Sequence, residues 1–485
     1  MGLSFLQDLG PVGLLLLGAA VCAALDLRTF QGRAPGPRAT RWVALGALGL
    51  AFLASVGFWH SSFGAAPPDI EHGSLVIDRF ALFLYAITLA AAAAILLCGS
   101  DAEDELDPHR GVFHALFLVG CAGVLVTASA ADLASLGAGL ALTAVPLGLA
   151  QGLRKTDVGA VRSAARALSV TGLALVLFMI GAAILAALGG GTSLAAIPNG
   201  LRHLDPLLVL AAVLVILGGM ALVGGFPYLW WRARQATQLP SLPLIGGTVL
   251  GALAGTAMLL RVLAGALGAA SSSWSLAVAV LAGLTLVLAP WLAWRQRRLG
   301  PAVVYLLLAQ LALVPATLPL VSQRGTATIL YLLLCTVPLA AGLLGLVGSI
   351  ASQGVGTSSL DLRGLWARSP LLAGGLALLL AGIAGVPPLA GFFVRLMTVD
   401  AALQAGFGWL AWLELISAVL CALVAFRWLL TIFDARVDGP VLELPRTSAQ
   451  VGVVLCVGAV LSFGILVGPL FAIATRASLA PLFGP

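Results

Sequence analysis

The sequence predicts an all-α integral membrane protein of about fourteen transmembrane helices, built on two inverted five-helix repeats with one broken helix in each. Three observations carry this. Of 485 residues, 61% are hydrophobic and 9% charged, with mean hydropathy +1.09, whereas soluble domains run at about 25% charged. Apolar windows near the roughly 20 residues needed to cross hydrocarbon recur along the chain with short polar gaps. Two of them are interrupted by glycine and proline at corresponding places, a pointer to a membrane protein built from repeats.

The first seven spans fall at 9–26, 42–59, 79–99, 112–130, 133–152, 163–189 and 206–231. The second seven fall at 241–265, 273–294, 300–321, 326–350, 369–395, 407–433 and 449–475. Their apolar runs are continuous rather than alternating, which excludes a β-barrel. The start MGLSFLQDLG lacks a basic n-region and the run after it has no convincing cleavage site, so the first span is read as retained.

Span 7 is interrupted at Gly224-Gly225-Phe226-Pro227 and span 12 at Gly385-Val386-Pro387-Pro388. Proline removes a backbone donor and clashes with the preceding turn, so carbonyls are freed in a low-dielectric slab, which membranes tolerate mainly beside a polar path. The match of Gly225 and Pro227 with Gly385 and Pro387 makes spans 4–8 one unit and spans 9–13 another. Five being odd, the units are inverted. The segments are then 1–111, 112–265, 273–433 and 434–485. Small residues at Gly137, Gly139, Ala141, Gly251, Ala254, Gly255, Gly374 and Gly375 fit close helix approach and equally fit the glycine- and alanine-rich composition.

Placing odd-numbered connections in the cytoplasm puts seventeen cations there, among them Lys155, against at most six outside (Arg79, Arg202, Arg261, Arg324, Arg395, Arg476). This bias sets both termini outside the cytoplasm. Basic inner loops facing anionic lipid account for the net charge of +6, and no nucleic-acid partner is called for. The acidic loop DAEDELDPHR, 101–110, reads as a solvated loop or a docking surface for a basic partner. Cys22, Cys98, Cys121, Cys335, Cys421 and Cys456 lie inside spans without CxxC or His spacing and read as small core residues; no metal site is expected. Hydropathy excludes a soluble enzyme, and no phosphate loop or nucleophile elbow is present.

The segment Arg368 to Arg395, with GVPPLAGFF, resembles the twelfth helix of the antiporter-like membrane subunits of respiratory complex I, bacterial NADH:quinone oxidoreductase, in particular subunit N, relatives of Mrp cation/proton antiporters. LGPVGLLLLGAAVCAALD, IDRFALFLYAITL, TASAADLASLGAGLALTAVPL, GGFPYLWW, AMLLRVL and FRWL follow the same order. The resemblance implies a mid-membrane line of a glutamate in helix 5 and lysines in helices 6, 7, 8 and 12, coupled to redox chemistry elsewhere. A buried lysine suits that task because its pKa shifts readily.

Carried over, the glutamate falls on Ala141, and the lysines of helices 7 and 8 fall on Leu222 and Ala252. Those of helices 6 and 12 fall on Arg166 and Arg395. Arginine stays protonated, so it attracts or gates ions without relaying protons. Helix 10 offers Tyr305 and Gln310. Arg166 fits either the axis or a snorkelled interfacial cation. Arg427 matches the family and is a third axis candidate, with Asp434 or a neighbouring subunit as partner. Glu414 lies near a span end and reads as interfacial, and His114 as a satisfied polar residue.

The expected function is therefore an antiporter-like scaffold subunit of the proton-translocating membrane arm of a complex I-type oxidoreductase, with a degenerate relay of its own. The alternative is a proton-coupled cation antiporter or Mrp-like transporter subunit. The chain performs no redox chemistry: flavin, iron-sulfur clusters and quinone are expected in partner subunits. Its partners are the other membrane-arm subunits and lipid, in the bacterial cytoplasmic membrane.

Overall fold

The structure, a computed structural model, describes residues 10–30, 39–61, 74–101, 103, 106, 109–153, 158–200, 206–231, 242–436 and 446–478. The start before Gly10, Arg154, Lys155, Arg202, Arg232, Arg234 and most of the acidic loop lie outside these residues.

The helices run in sequence order: α1 Gly10–Phe30, α2 Ala39–Ser61, α3 Arg79–Cys98, α4 Arg110–Ser129, α5 Leu133–Ala150, α6 Val158–Gly189 and α7 Pro206–Val223. Then come α8 Leu242–Leu259, prolonged by a π-helical turn Leu260–Ala266, α9 Ser271–Arg295, α10 Leu299–Leu311 and α11 Gln323–Ser352. The twelfth crossing is split into α12a Pro370–Ala384 and α12b Ala390–Gln404, followed by α13 Gly408–Ile432, α14 Thr447–Ile465 and α15 Val467–Ala477. Thirteen helices among the described residues are long and apolar enough to cross a membrane. The broken twelfth supplies the fourteenth crossing.

Span 14 differs from expectation. It is not one helix to residue 475, because it bends at Leu466 and restarts as α15. Gly468-Pro469 in the first turn of α15 explains the restart, since proline is tolerated there and not in a helix interior.

Burial sorts the helices. The best window of α10 is wholly buried and those of α8 and α11 are 94% buried, while α2 reaches 28%. The three form the centre because they are apolar on every face. α1 packs on α2 and α4, and α14 lies against α3 and α11, so the flanking helices cover the paired units from outside.

The two units repeat each other in detail. Leu133 N donates to Thr192 O (2.9 Å) and Leu194 N to Ala131 O (3.0 Å), tying the start of α5 to the chain after α6. Leu299 N to Thr357 O (2.7 Å) and Ser359 N to Arg297 O (3.3 Å) do the same for α10 and α11. Five crossings separate the two ties, which therefore sit at opposite ends of the bundle.

The breaks repeat as well, in a register shifted by one residue from the one read in the sequence. α7 stops at Val223, Gly224 takes φ +86°, and helix resumes at Leu229. α12a stops at Ala384, Gly385 takes φ +80°, and helix resumes at Ala390. Gly385 thus corresponds to Gly224 rather than Gly225, because left-handed backbone is what glycine supplies after a helix. The cis bonds Phe226–Pro227 and Pro387–Pro388 fall in the same register.

Past the second break the chain turns on itself very closely. A Cβ at Gly391 would meet Gly382 O at 1.9 Å, and one at Gly464 would meet Pro388 O at 2.0 Å, whereas Gly374 has its nearest neighbour at 3.6 Å. Overpacking of this kind costs about 1–3 kcal/mol. Gly391→Ala and Gly464→Ala should therefore lower the unfolding temperature of the detergent-solubilised protein, while Gly374→Ala leaves it within error.

Candidate functional site

The broken twelfth helix leaves carbonyls without intrahelical donors at the end of α12a. Arg395, on the second turn of α12b and 7% exposed, answers one of them: its Nη2 donates to Ile383 O at 3.1 Å. The side-chain stem lies against Gly385, whose absent Cβ would be 3.1 Å from Arg395 Cδ. Arg395 Nε and Nη1 have no hydrogen-bond partner.

On α13, which packs against α12b, Glu414 is 2% exposed and lies within electrostatic range of Thr398 and Arg395, short of a direct ion pair. Neither carboxyl oxygen accepts a hydrogen bond. Thr398 Oγ1 gives its proton to Arg395 O instead (3.0 Å). Burial corrects the interfacial reading of Glu414. The residue is only about 9 Å from the start of α13 by helical rise, but it lies on the inward stripe with Leu410, Ala411, Ser417 and Cys421, and a face, not a depth, decides exposure in a bundle. An ionised carboxylate in such a place costs several kcal/mol unless paired.

The first unit is different. Leu222 lines a cavity of about 20 Å³ with Thr143, Gln151, Thr171 and Gly251. Ala252 lines a second cavity of about 20 Å³ with Thr248, Leu307, Leu333 and Thr336. Each has room for about one water molecule, and no ionisable side chain lines either. Leu222 and Ala252 are 5% and 3% exposed; Ala141 is half-buried on α5. Arg166 is exposed on the outer face of α6, apart from Arg395.

Arg427 also stands away from the Arg395–Glu414 pocket. Its Nη1 donates to Trp294 O and its Nη2 to Gln296 O, at the open end of α9, and its guanidinium lies over the Trp294 and Trp428 rings. Asp434 pairs with Arg363 (3.2 Å). The first unit has the same device: Arg261, in the π turn ending α8, donates through Nε and Nη2 to Ala128 O (3.0 and 2.6 Å) at the open end of α4. Arg261 adds a two-pronged pair to Asp78 (2.8 and 2.9 Å) and lies over Phe80. Arg261 and Ala128 stand in the register of Arg427 and Trp294, so in each unit an arginine of the last helix clasps the carbonyls of the first.

Within 101–110, the two described carboxylates, Asp101 and Glu103, are held by donors rather than standing in solvent. Glu103 is fully buried and reached by Arg41 Nη1 (3.1 Å), with His114 Nε2 3.2 Å from its other oxygen. Asp101 binds Arg446 N (3.0 Å) and the Ser349 hydroxyl. Asp101 and Glu103 thus meet donors between α2, α4, α11 and the start of α14. The six cysteines are buried and free, Cys98 and Cys456 being in thiol contact at 3.7 Å. Among the described residues no three His, Cys, Asp or Glu side chains come together as a metal site would need.

The family model described as NADH:quinone oxidoreductase/Mrp antiporter, TM, matches residues 130–421. NADH-quinone oxidoreductase subunit N 1 of Sorangium cellulosum is 33% identical, with 84% of each chain covered. This chain belongs to that antiporter-like membrane-subunit family. In fold it is similar to a chain of respiratory complex I from Thermus thermophilus (22% identical, TM-score 0.78, 95% of this chain and 99% of that one). It is likewise similar to a chain of the Mrp complex from Dietzia (19%, TM-score 0.83, 100% and 98%).

Within this antiporter-like scaffold, two groups escaped the sequence reading. Glu414 could have been found by its inward spacing with Leu410, Ser417 and Cys421. Arg261 sat in a motif used only for alignment, and its clasp involves residues far apart in sequence. Hydrogen bonds from a charged donor are worth about 1.5–3 kcal/mol, and removing one partner of a buried ion pair costs about 3–5. Arg261→Ala should destabilise the protein by about 2–4 kcal/mol and Arg427→Ala, more exposed, by about 1–2, read by chemical unfolding in detergent. Lysine at either place should not restore stability, because an ammonium lacks the planar fork.

Proposed function

We propose that this chain is an antiporter-like membrane subunit of a complex I-type NADH:quinone oxidoreductase, holding the membrane arm together without carrying a proton from side to side by itself. The observation that carries the reading is the coexistence of the family's full scaffold with Ala141, Leu222 and Ala252 at the positions the family resemblance marks for ionisable groups. Side chains that cannot ionise cannot exchange protons, and the two cavities beside Leu222 and Ala252 are bounded by carbon and a few neutral polar groups. Arg395 keeps a fixed positive charge at the second break, where it can attract or repel ions without relaying them.

On this reading the units comprise 112–265 and 273–433, flanked by 1–111 and 434–485. The chain lies in a bacterial cytoplasmic membrane with both termini outside the cytoplasm, as the distribution of cations supports. Its partners are the other membrane-arm subunits and the surrounding lipid. Flavin, iron-sulfur clusters and quinone reside in partner subunits, so the redox step reaches this chain only through contacts. The fold likeness to the Mrp chain favours a second reading, a subunit of a cation antiporter. Purification in mild detergent separates them: co-migration with redox subunits supports the first, and co-migration with Mrp-type subunits the second.

In proteoliposomes, the assembled complex should move fewer protons per electron than a complex whose corresponding subunit carries glutamate and lysines at those positions, and Arg395→Ala should leave the ratio unchanged. A full ratio that falls on Arg395→Ala would contradict the proposal.

A further inference from the structure

Glu414 is unused by the function above, and its surroundings give it something to do. It is a carboxyl nine-tenths buried inside a membrane bundle, with both oxygens free of hydrogen bonds, on a helix packed against α12b, whose Arg395 also has Nε and Nη1 free. Among the elements packed against α13, the short helix Leu365–Arg368 brings Arg368, which donates to Asp361 O and Arg363 O at the far end of α13, where Gly364 N meets Thr431 O (3.1 Å). α9 has no ionisable residue before Arg295, α10 offers Tyr305, and α12a has none. On α12b, Asp400 is held 2.8 Å from Arg324. On α13 itself, Arg427 is about 20 Å further along by helical rise and clasped to α9. Ser417, one turn deeper on the same stripe, is buried and without a partner.

We propose that Glu414 is a proton-binding site that exchanges its proton with water from the end of the bundle where α13 begins, and that its charge decides the partner of Arg395. The inference rests on the reading above, in which this subunit carries no proton across alone. With the O–H bond intact the carboxyl is neutral and Arg395 stays on the Ile383 carbonyl, as observed (3.1 Å). When that bond breaks, the proton passes to water and the carboxylate is left with the electron pair. The guanidinium, protonated throughout, then turns its free Nε and Nη1 to it. No redox partner is needed. Because the Ile383 carbonyl is the open end of α12a, the exchange makes the α12 break a two-position element set by one proton, and a nearby change of charge in a neighbouring subunit would bias it.

The test uses the whole complex. Infrared difference spectra between low and high pH should show a carboxylic C=O band that is lost in Glu414→Gln and shifted in Glu414→Asp, with the proton-to-electron ratio in proteoliposomes unchanged in both. A lost band together with a fall in the ratio supports the proton site and overturns the scaffold reading. A spectrum identical in wild type and Glu414→Gln overturns the inference. Glutamine matches glutamic acid in shape and neutrality, so assembly is retained; Ser417→Ala, on the same stripe, controls for packing and should keep the band.

Discussion

In a membrane-spanning bundle the loose carbonyls at helix ends must find donors, and at three such ends here arginine supplies them. Arg261 closes the first five-helix unit on Ala128 O, Arg427 closes the second on Trp294 O and Gln296 O, and Arg395 holds Ile383 O across the α12 break. A long side chain with five donors and a permanent charge suits this task, because it reaches from one helix to the end of another and meets two acceptors at once. The remaining architecture depends on these closures. Without Arg395 the α12 break would leave the Ile383 carbonyl without that donor inside the bundle, and an unsatisfied backbone group in hydrocarbon costs several kcal/mol.

The same chemistry separates holding from conducting. An arginine that satisfies a carbonyl keeps its proton, so Arg261, Arg395 and Arg427 build structure. On the proposed function, the positions that the family resemblance marks for proton-relaying groups hold methyls and an isobutyl group, at Ala141, Ala252 and Leu222. Among the described residues of the second unit, Glu414 is a buried carboxyl without a hydrogen-bond partner. The buried Glu103, reached by Arg41 and flanked by His114, lies outside the line of family positions and ties the N-terminal helices to α4.

Much of the architecture was legible in the sequence, since crossing a bilayer imposes length and hydropathy on each helix. The breaks were legible too, because proline and glycine act locally. Their register was not: Gly224-Gly225 offers two glycines, and only the backbone shows that the first takes the left-handed conformation. The bend at Leu466 had a signal in Gly468-Pro469 that a hydropathy window averages away. The site was less legible than the fold. Arg427 was read by its family motif as an axis cation, whereas its partners lie on α9, more than a hundred residues away, and no pattern within α13 records them. Glu414 was judged by its distance from a helix end, when the spacing of apolar and small residues along α13 already placed it on the inner face.

Arginine closures hold the scaffold around a line of positions that is neutral and narrow in its first unit. The most direct test is a cryo-electron microscopy map of the assembled complex at a resolution that shows ordered water. Isolated waters at most are expected in the cavities beside Leu222 and Ala252, with no hydrogen-bonded chain joining them to each other or to Arg395. A continuous file of waters from the Leu222 cavity through the Ala252 cavity to Arg395 would contradict that expectation.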